Sequence, residues 1–395
     1  MALLCLGRSI KIDFASWLQE SGRDLYLITS NVMPHQDRYR LVRSIDDMDA
    51  HGLAELAAVE IGRSVTLQAV IPHSEYDLIR AARIRRHLGI PGQSVESAIA
   101  YRDKVTMKEY LRRAGLRVAN FARLTSPLDA IHFVEQHGFP VVIKPVDACG
   151  SKNVCLIEDH AALAEFLRTS TGRDCMIESF VDGRMYHVNG VLKEDGSVFF
   201  VPCAYITTCL DFQSGGIFGD RAIDPRTPFS KRLIECTKKA IAALPPAFPL
   251  AFHAEIFHTK DDELVLCEIA ARTPGSITGE LIGYSYDIDI HRLWIRSLAG
   301  LDDDFSEIRT PHRYLASVRI PVREGRLKKL PTMIPFPWVS TYCLTGVVGK
   351  EYRRATSYTD DVLSGLLVGS SEEQLKYRID EFGAWVHDAI RWEAA

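Results

Sequence analysis

The stretch HAEIFHTKDDELVLCEIAAR, His253 to Arg272, decides how this chain is read. Apolar and polar residues alternate on both sides of Lys260-Asp261-Asp262-Glu263, which gives two strands joined by a turn. Folded symmetrically about Asp261 and Asp262, the hairpin places Glu255 opposite Glu268. Opposed residues share a face of the sheet, and two carboxylates there sit roughly 5 Å apart and repel each other. Such a pair inside an apolar hairpin holds a cation or shares a proton. Ligands made only of oxygen suit Mg²⁺, which commonly bridges to a substrate phosphate. The turn is not of the Asn-Gly kind that fixes pairing, so a register with one Glu buried and the other exposed is the competing reading.

Upstream of the hairpin lie other groups suited to an anionic ligand. Lys144 closes the apolar strand PVVIKP, and the loop Ala148-Cys149-Gly150-Ser151-Lys152-Asn153 follows it. A lysine leaving a buried strand is costly unless it meets an anion or snorkels to water. Small loop residues let backbone N–H groups approach phosphate oxygens. GxxxxGK[ST] is absent, so this is not a P-loop. Glu178-Ser179-Phe180-Val181-Asp182-Gly183 is an acidic strand end turning into a loop. It can offer backbone groups to an adenine edge and Phe180 or Val181 to its face, or be a plain strand terminus. Lys104 lies near the start of a helix in YRDKVTMKEYLRRAG and can reach a phosphate or cover the first turn. Arg272 stands beside Thr273-Pro274-Gly275-Ser276. Its planar fork suits carboxylate or phosphate, and equally a structural ion pair. His253 shares the Glu255 face by alternation and either lines the same site or packs.

The wider chain bounds these readings. At 395 residues it is long for one core, so two or three domains are expected. A formal charge of −4, with basic and acidic residues interspersed, gives no reason to propose nucleic-acid or membrane partners. Apolar runs fall short of membrane-spanning length, and MALLCLGRSIKID lacks a basic n-region and reads as a first buried strand. The nine cysteines are odd in number with no CxxC, as expected of reduced thiols in a cytoplasm. Strands at Leu3–Leu6, Leu25–Thr29 and Val65–Ile71 alternate with helices, the last from about Tyr76 to Leu88 with its stop at Gly89-Ile90-Pro91. GxGxxG is absent there. Downstream, Ser126, Pro127 and Gly138 punctuate a helix. A helix is expected over Asp287–Ala299 and another from about Glu372 to Trp392, with Pro331–Trp338 as a proline-rich surface loop.

In combination these features resemble the ATP-grasp superfamily, in its carboxylate–amine ligase branch of L-amino acid ligases and carnosine-synthase-like enzymes. The resembling text is SEYDLIRAARIRRHLGIPG, YRDKVTMKEYLRRAG, VVIKP, ESFVDGRMYHVNG, FHAE and EIAAR, spread over Ser74 to Gly300. The resemblance implies an α/β ATP-grasp fold: a Rossmann-like N-terminal domain over 1–92, a central subdomain over 93–184, and a C-terminal subdomain with the metal site and a small extension over 185–395. It implies ATP and Mg²⁺, with Mn²⁺ as a substitute, and amide formation through an acyl phosphate. Lys104 and Lys144 would contact phosphates, Gly150-Ser151 would fold over them, and Glu178 with the Val181 backbone would read adenine. Glu255 and Glu268 would hold the metal, and Arg272 would orient the acyl phosphate. Substrate candidates are Gly275, Ser276, Tyr205, Phe212 and Arg221. Partners would be small carboxylates and amines, and relatives are often homodimers. Met185 stands where relatives carry a ribose-binding acid, the phosphate loop is poorer in glycine, and Ala270 replaces a metal-binding Asn, as in the amino-acid ligase branch. Ligation onto a carrier protein, or nucleotide binding without turnover, remain the alternatives.

Overall fold

The computed structural model describes residues 1–207, 216–275, 277–301, 303, 310–355, 357 and 360–393. The N-terminal strands Ala2–Gly7, Asp24–Thr29, Leu41–Ser44 and Leu67–Pro72 form a parallel sheet, with Ala2–Gly7 between Asp24–Thr29 and Leu67–Pro72. Every residue of Ala2–Gly7 is buried, as a parallel strand covered on both faces requires. One face packs on helices Leu53–Ser64 and Leu78–Leu88 through Ala54, Ala58, Ile61, Ala81 and Ile84. The other face takes Phe14 and Leu18, and also Ile295 and Ala299 from far along the chain. The chain therefore returns to its first sheet after the acidic hairpin, a contact with no local sequence signal.

A second, antiparallel sheet has the order Phe121–Leu124, Cys175–Ser179, Val141–Pro145, Cys155–Ile157. Helices Pro127–His137 and His160–Thr169 close its core. Ser126 and Asp129 form a capping box, Pro127 takes the first turn, and Gly138 ends the helix at φ +74°.

The largest sheet has eight strands, ordered Leu264–Ala270, Leu250–Thr259, Gly183–Leu192, Val198–Tyr205, Phe218–Ala222, Tyr314–Pro321, Asp361–Gly369, Val339–Leu344. Helix Pro228–Ala243 and helices Thr278–Tyr286 and Ile290–Leu298 bury one of its faces. The central strands of the other face carry Met185, His187, Asn189, His253, Glu255 and Asp220, and it is there that a cavity opens.

Three element readings need correction. The helix expected over Asp287–Ala299 is Ile290–Leu298, capped by Asp289. Asp287, at φ +56°, instead ends the preceding helix. The last helix stops at Ala389, because Arg391–Glu393 pairs as a strand with Gly325–Lys329. Pro331–Trp338 is irregular as expected but is not simply surface: Ile334 is buried, and stacked Phe336 and Trp338 pack with Trp385. Aromatic anchoring outweighs the proline signal. Among the described residues no helix is long and apolar enough to cross a membrane.

Candidate active site

The hairpin pairs Glu255 with Glu268, by a route the sequence did not show. Near the turn Phe257 faces Val265 and Ile256 faces Leu266, one residue off the symmetric pairing. A β-bulge leaves Cys267 unpaired and restores the register, so the two carboxylates meet across the ladder. Both line a cavity of about 380 Å³ between the second sheet and the large one. Glu255 accepts a hydrogen bond from Tyr205 Oη at 2.6 Å, and His253 Nε2 lies 3.4 Å from it. Burial alone would raise its carboxyl; the His253 and Tyr205 contacts outweigh that and bring it down to about 2.

Lys104 opens helix Lys104–Arg113, which Asp103 caps. Its Nζ donates to the Ala148 carbonyl at 2.6 Å and sits 3.2 Å from Glu268 Oε2, linking the loop to the acidic pair. One turn on, Lys108 points the same way, and its Nζ is 3.1 Å from Glu178 Oε2. Lys144 Nζ is 2.6 Å from Glu178 Oε1. Glu178 is thus clamped between two buried ammonium groups. Burial would raise its carboxyl, but Lys108 and Lys144 hold it at about 2. In return Glu178, with Cys267 and Glu268, keeps the Lys144 ammonium protonated against the opposing effect of burial. Lys108 had no role in the sequence reading, although its spacing of four from Lys104 was a usable signal.

The loop after Lys144 faces the same cavity through Ala148, Cys149, Gly150 and Ser151. Gly150, Ser151 and Asn153 all have positive φ, at 68°, 57° and 58°. Two non-glycine residues held there cost of order 1 kcal/mol each. Phe180, Val181 and Met185 contribute apolar surface to the same lining.

Arg272 joins this cavity to a second of about 970 Å³ lined by the N-terminal unit. Arg272 Nε pairs with Glu75 Oε2 at 2.6 Å, and Arg102 pairs with the other Glu75 oxygen. Burial opposes the Glu75 charge, yet the two guanidinium groups bring its carboxyl down to about 2. Arg319, paired with Asp361, also lines both cavities, as do Gly275 and Cys149.

Of the residues singled out by sequence, Lys104, Lys144, Gly150, Ser151, Glu178, Phe180, Val181, Tyr205, His253, Glu255, Glu268, Arg272 and Gly275 line this one cavity. Arg221 does not: it pairs with Glu372 on the last helix at 2.9 Å, because strand alternation turns it away from Asp220. Phe212 and Ser276 lie outside the described residues. Sequence reasoning missed Glu75, Arg102, Lys108, His187, Asn189 and Arg319. His187 and Asn189 sit two apart in MYHVNG, an alternating polar signal inside a strand.

The acidic pair fits a hard divalent cation such as Mg²⁺. Two carboxylates from one hairpin provide the oxygen donors it takes, and Mg²⁺ commonly completes its shell with water and phosphate. Among the described residues no group of three His, Cys, Asp or Glu is placed to hold a metal, so the protein's share of such a shell is the pair.

The chain is similar to several known proteins. Residues 109–279 match the ATP-grasp domain. The chain is 24% identical over 303 residues to an L-arginine-specific L-amino acid ligase of Bacillus subtilis, covering 72% of this chain and 70% of that one. It is 23% identical over 362 residues to the carbamoyl phosphate synthase large chain of Thermotoga neapolitana, covering 87% of this chain but 31% of that protein. The fold superposes on an L-amino acid ligase from Bacillus licheniformis with a TM-score of 0.77, at 17% identity, over 100% of this chain and 98% of that one. The mixed α/β architecture and the ligase relatives together mark an ATP-dependent ligase. The chain carries an ATP-grasp domain over residues 109–279.

Proposed function

We propose that this chain joins a small carboxylic acid to an amine, forming an amide through an acyl phosphate with release of ADP and phosphate. The observation that carries the reading is the Glu255–Glu268 pair in register beside Lys104, with Arg272 placed where the nucleotide cavity meets the second one. The roles follow from placement. Lys104 and the Gly150-Ser151 loop hold phosphates at one end, and Phe180, Val181 and Met185 receive the base and sugar at the other. Lys108 and Lys144 are fixed by Glu178 and present positive charge without having to reorganise during reaction. Glu255 and Glu268 would hold Mg²⁺, which would supply charge neutralisation on the phosphates. Arg272, braced by Glu75, presents its fork to the acid whose oxygen attacks the γ-phosphate. The amine then attacks the acyl carbon and phosphate leaves. Positioning and electrostatics carry such a transfer, since little covalent chemistry falls to the protein. Amino acids or similar small molecules are the substrates in this reading.

The test is a phosphate-release screen over pairs of amino acids and small acids, with mass spectrometry of products. A condensed product one water lighter than its parts, with one ADP per product, supports the reading. AMP and pyrophosphate in place of ADP would reject it.

A further inference from the structure

An amine attacking an acyl carbon must lose a proton as the amide forms, which calls for a base on the wall of the second cavity. The carboxylates of that wall are committed elsewhere. Glu75 is held by Arg272 and Arg102, Glu280 pairs with Lys11 at 2.7 Å, and Asp289 caps helix Ile290–Leu298 through the His291 and Arg292 backbone. Asp287 is exposed, at the end of helix Thr278–Tyr286.

Two histidines meet on the same wall. His73 Nε2 lies 3.3 Å from His291 Nδ1 across 218 positions, with the rings tilted at 57°. His73 follows strand Leu67–Pro72, and Arg8 and Ser9 follow its neighbour Ala2–Gly7. The other two strands of that sheet lie beyond Ala2–Gly7, so the strand order changes direction between this pair. Open α/β sheets take ligands in the crevice at the carboxyl ends of two such strands, and here it opens into the second cavity. His291 Nε2 is seated over Gly279, where a Cβ would lie 2.3 Å from it, so only glycine fits beneath the ring. Thr273 ties the pair to Arg272. Its hydroxyl is 2.7 Å from His291 Nδ1, and its carbonyl accepts from Arg272 Nη1 at 3.1 Å.

Both rings are neutral near pH 7. Burial, His291 and Arg272 bring His73 down to about 3. Burial lowers His291 as well, assisted by Arg272 and Lys11 and opposed by Asp289 and Glu280. A neutral imidazole carries one N–H and one bare nitrogen. One proton lies between His73 Nε2 and His291 Nδ1. If His291 supplies it, His291 Nε2 is bare; if His73 supplies it, His73 Nδ1 is bare. Either tautomer leaves one lone pair outside the contact.

We propose that the His73–His291 pair is the base of the amide-forming step, taking the proton of the acceptor amine as it attacks from the second cavity. This rests on the ligase reading and assigns a further catalytic group to it. The amine lone pair forms the C–N bond. The bond from the acyl carbon to the phosphoryl oxygen breaks, and its electron pair leaves with phosphate. The N–H proton passes to the bare ring nitrogen and from there to solvent. A nitrogen bonded to an acyl carbon is far more acidic than a free ammonium, so weakly basic rings suffice. The field of Arg272 that lowers both rings also disfavours an ammonium beside them, which keeps the attacking amine neutral and nucleophilic.

Hydroxylamine separates this step from activation of the acid, because it reacts with acyl phosphates without help from a base. The acid and amine that release most phosphate in the screen above serve for amide formation, and the same acid with hydroxylamine serves for hydroxamate formation. His73→Gln and His291→Gln keep a hydrogen-bonding side chain that takes no proton at neutral pH. In both, kcat/KM for the amine should fall by about 100-fold or more, while hydroxamate formation stays within about threefold of wild type. Unchanged amide formation in either variant, or a loss of hydroxamate as large as that of amide, would overturn the proposal and leave the ligase reading intact. Absence of both products from the wild-type protein would overturn the ligase reading and this proposal with it.

Discussion

Replacing Glu178 with Gln tests whether the lysine clamp is built for the charge it holds. Glu178 lies between Lys108 and Lys144, all three nearly inaccessible. Its carboxyl falls from an ordinary 4.5 to about 2. At about 1.4 kcal/mol per pH unit this amounts to about 3 kcal/mol of stability. The independent expectation for removing one member of a buried ion pair is about 3 to 5 kcal/mol, so the two agree. The sign follows from the direction of the shift. A carboxyl whose folded value is depressed stabilises fully above its unfolded value and loses that contribution as pH falls toward the folded one. Urea unfolding of wild type and Glu178→Gln should therefore differ by about 3 kcal/mol near pH 7. The gap should close progressively from about pH 4.5 toward about pH 2. Asp182→Asn, which removes an exposed partner of Lys260, should change stability by less than about 1 kcal/mol. A Glu178→Gln variant within about 0.5 kcal/mol of wild type near neutral pH, or a gap that ignores acid, would refute the reasoning.

Other consequences follow from the same geometry. Glu268→Gln should reduce ADP formation by about 100-fold or more with little change in thermal unfolding; full turnover measured by a coupled ADP assay would count against the acidic pair. Glu75→Gln should lower kcat by about 10- to 100-fold, because Arg272 loses its brace and small misplacement of a positioning group is costly; unchanged kinetics would show that Arg272 needs no partner. Met185 lines the cavity with a side chain that cannot accept a ribose hydroxyl as a carboxylate would, so 2′-deoxyATP should replace ATP with less than about a threefold change in kcat/KM. A loss above tenfold would place a ribose contact elsewhere.

Much of the fold was legible because local signals were strong. The parallel N-terminal strands are continuously apolar, and Ser126, Pro127 and Gly138 punctuate a helix by backbone chemistry alone. The acidic pair was legible only in part. Symmetry about Asp261 and Asp262 reaches the right partners, yet the ladder needs the bulge at Cys267 to get there, and a bulge leaves little trace in alternation. What could not be read depended on long-range closure. Glu75 meets Arg272 across 197 positions, Arg296 hydrogen-bonds the Trp17 carbonyl across 279, and Ser317 reaches Asp220 across 97. No periodicity reports such contacts. Asp220 and Arg221 show the same limit at one step: alternation says that they face opposite sides, but only the assembled sheet says which side holds the cavity.

The central claim is that phosphoryl transfer to a carboxylate oxygen precedes amide formation. Its most direct measurement uses an acid substrate carrying ¹⁸O in its carboxylate, with isotope analysis of the released phosphate. The account predicts one labelled oxygen in inorganic phosphate for each amide formed, alongside unlabelled ADP. Label found in AMP, or unlabelled phosphate accompanying amide product, would contradict it.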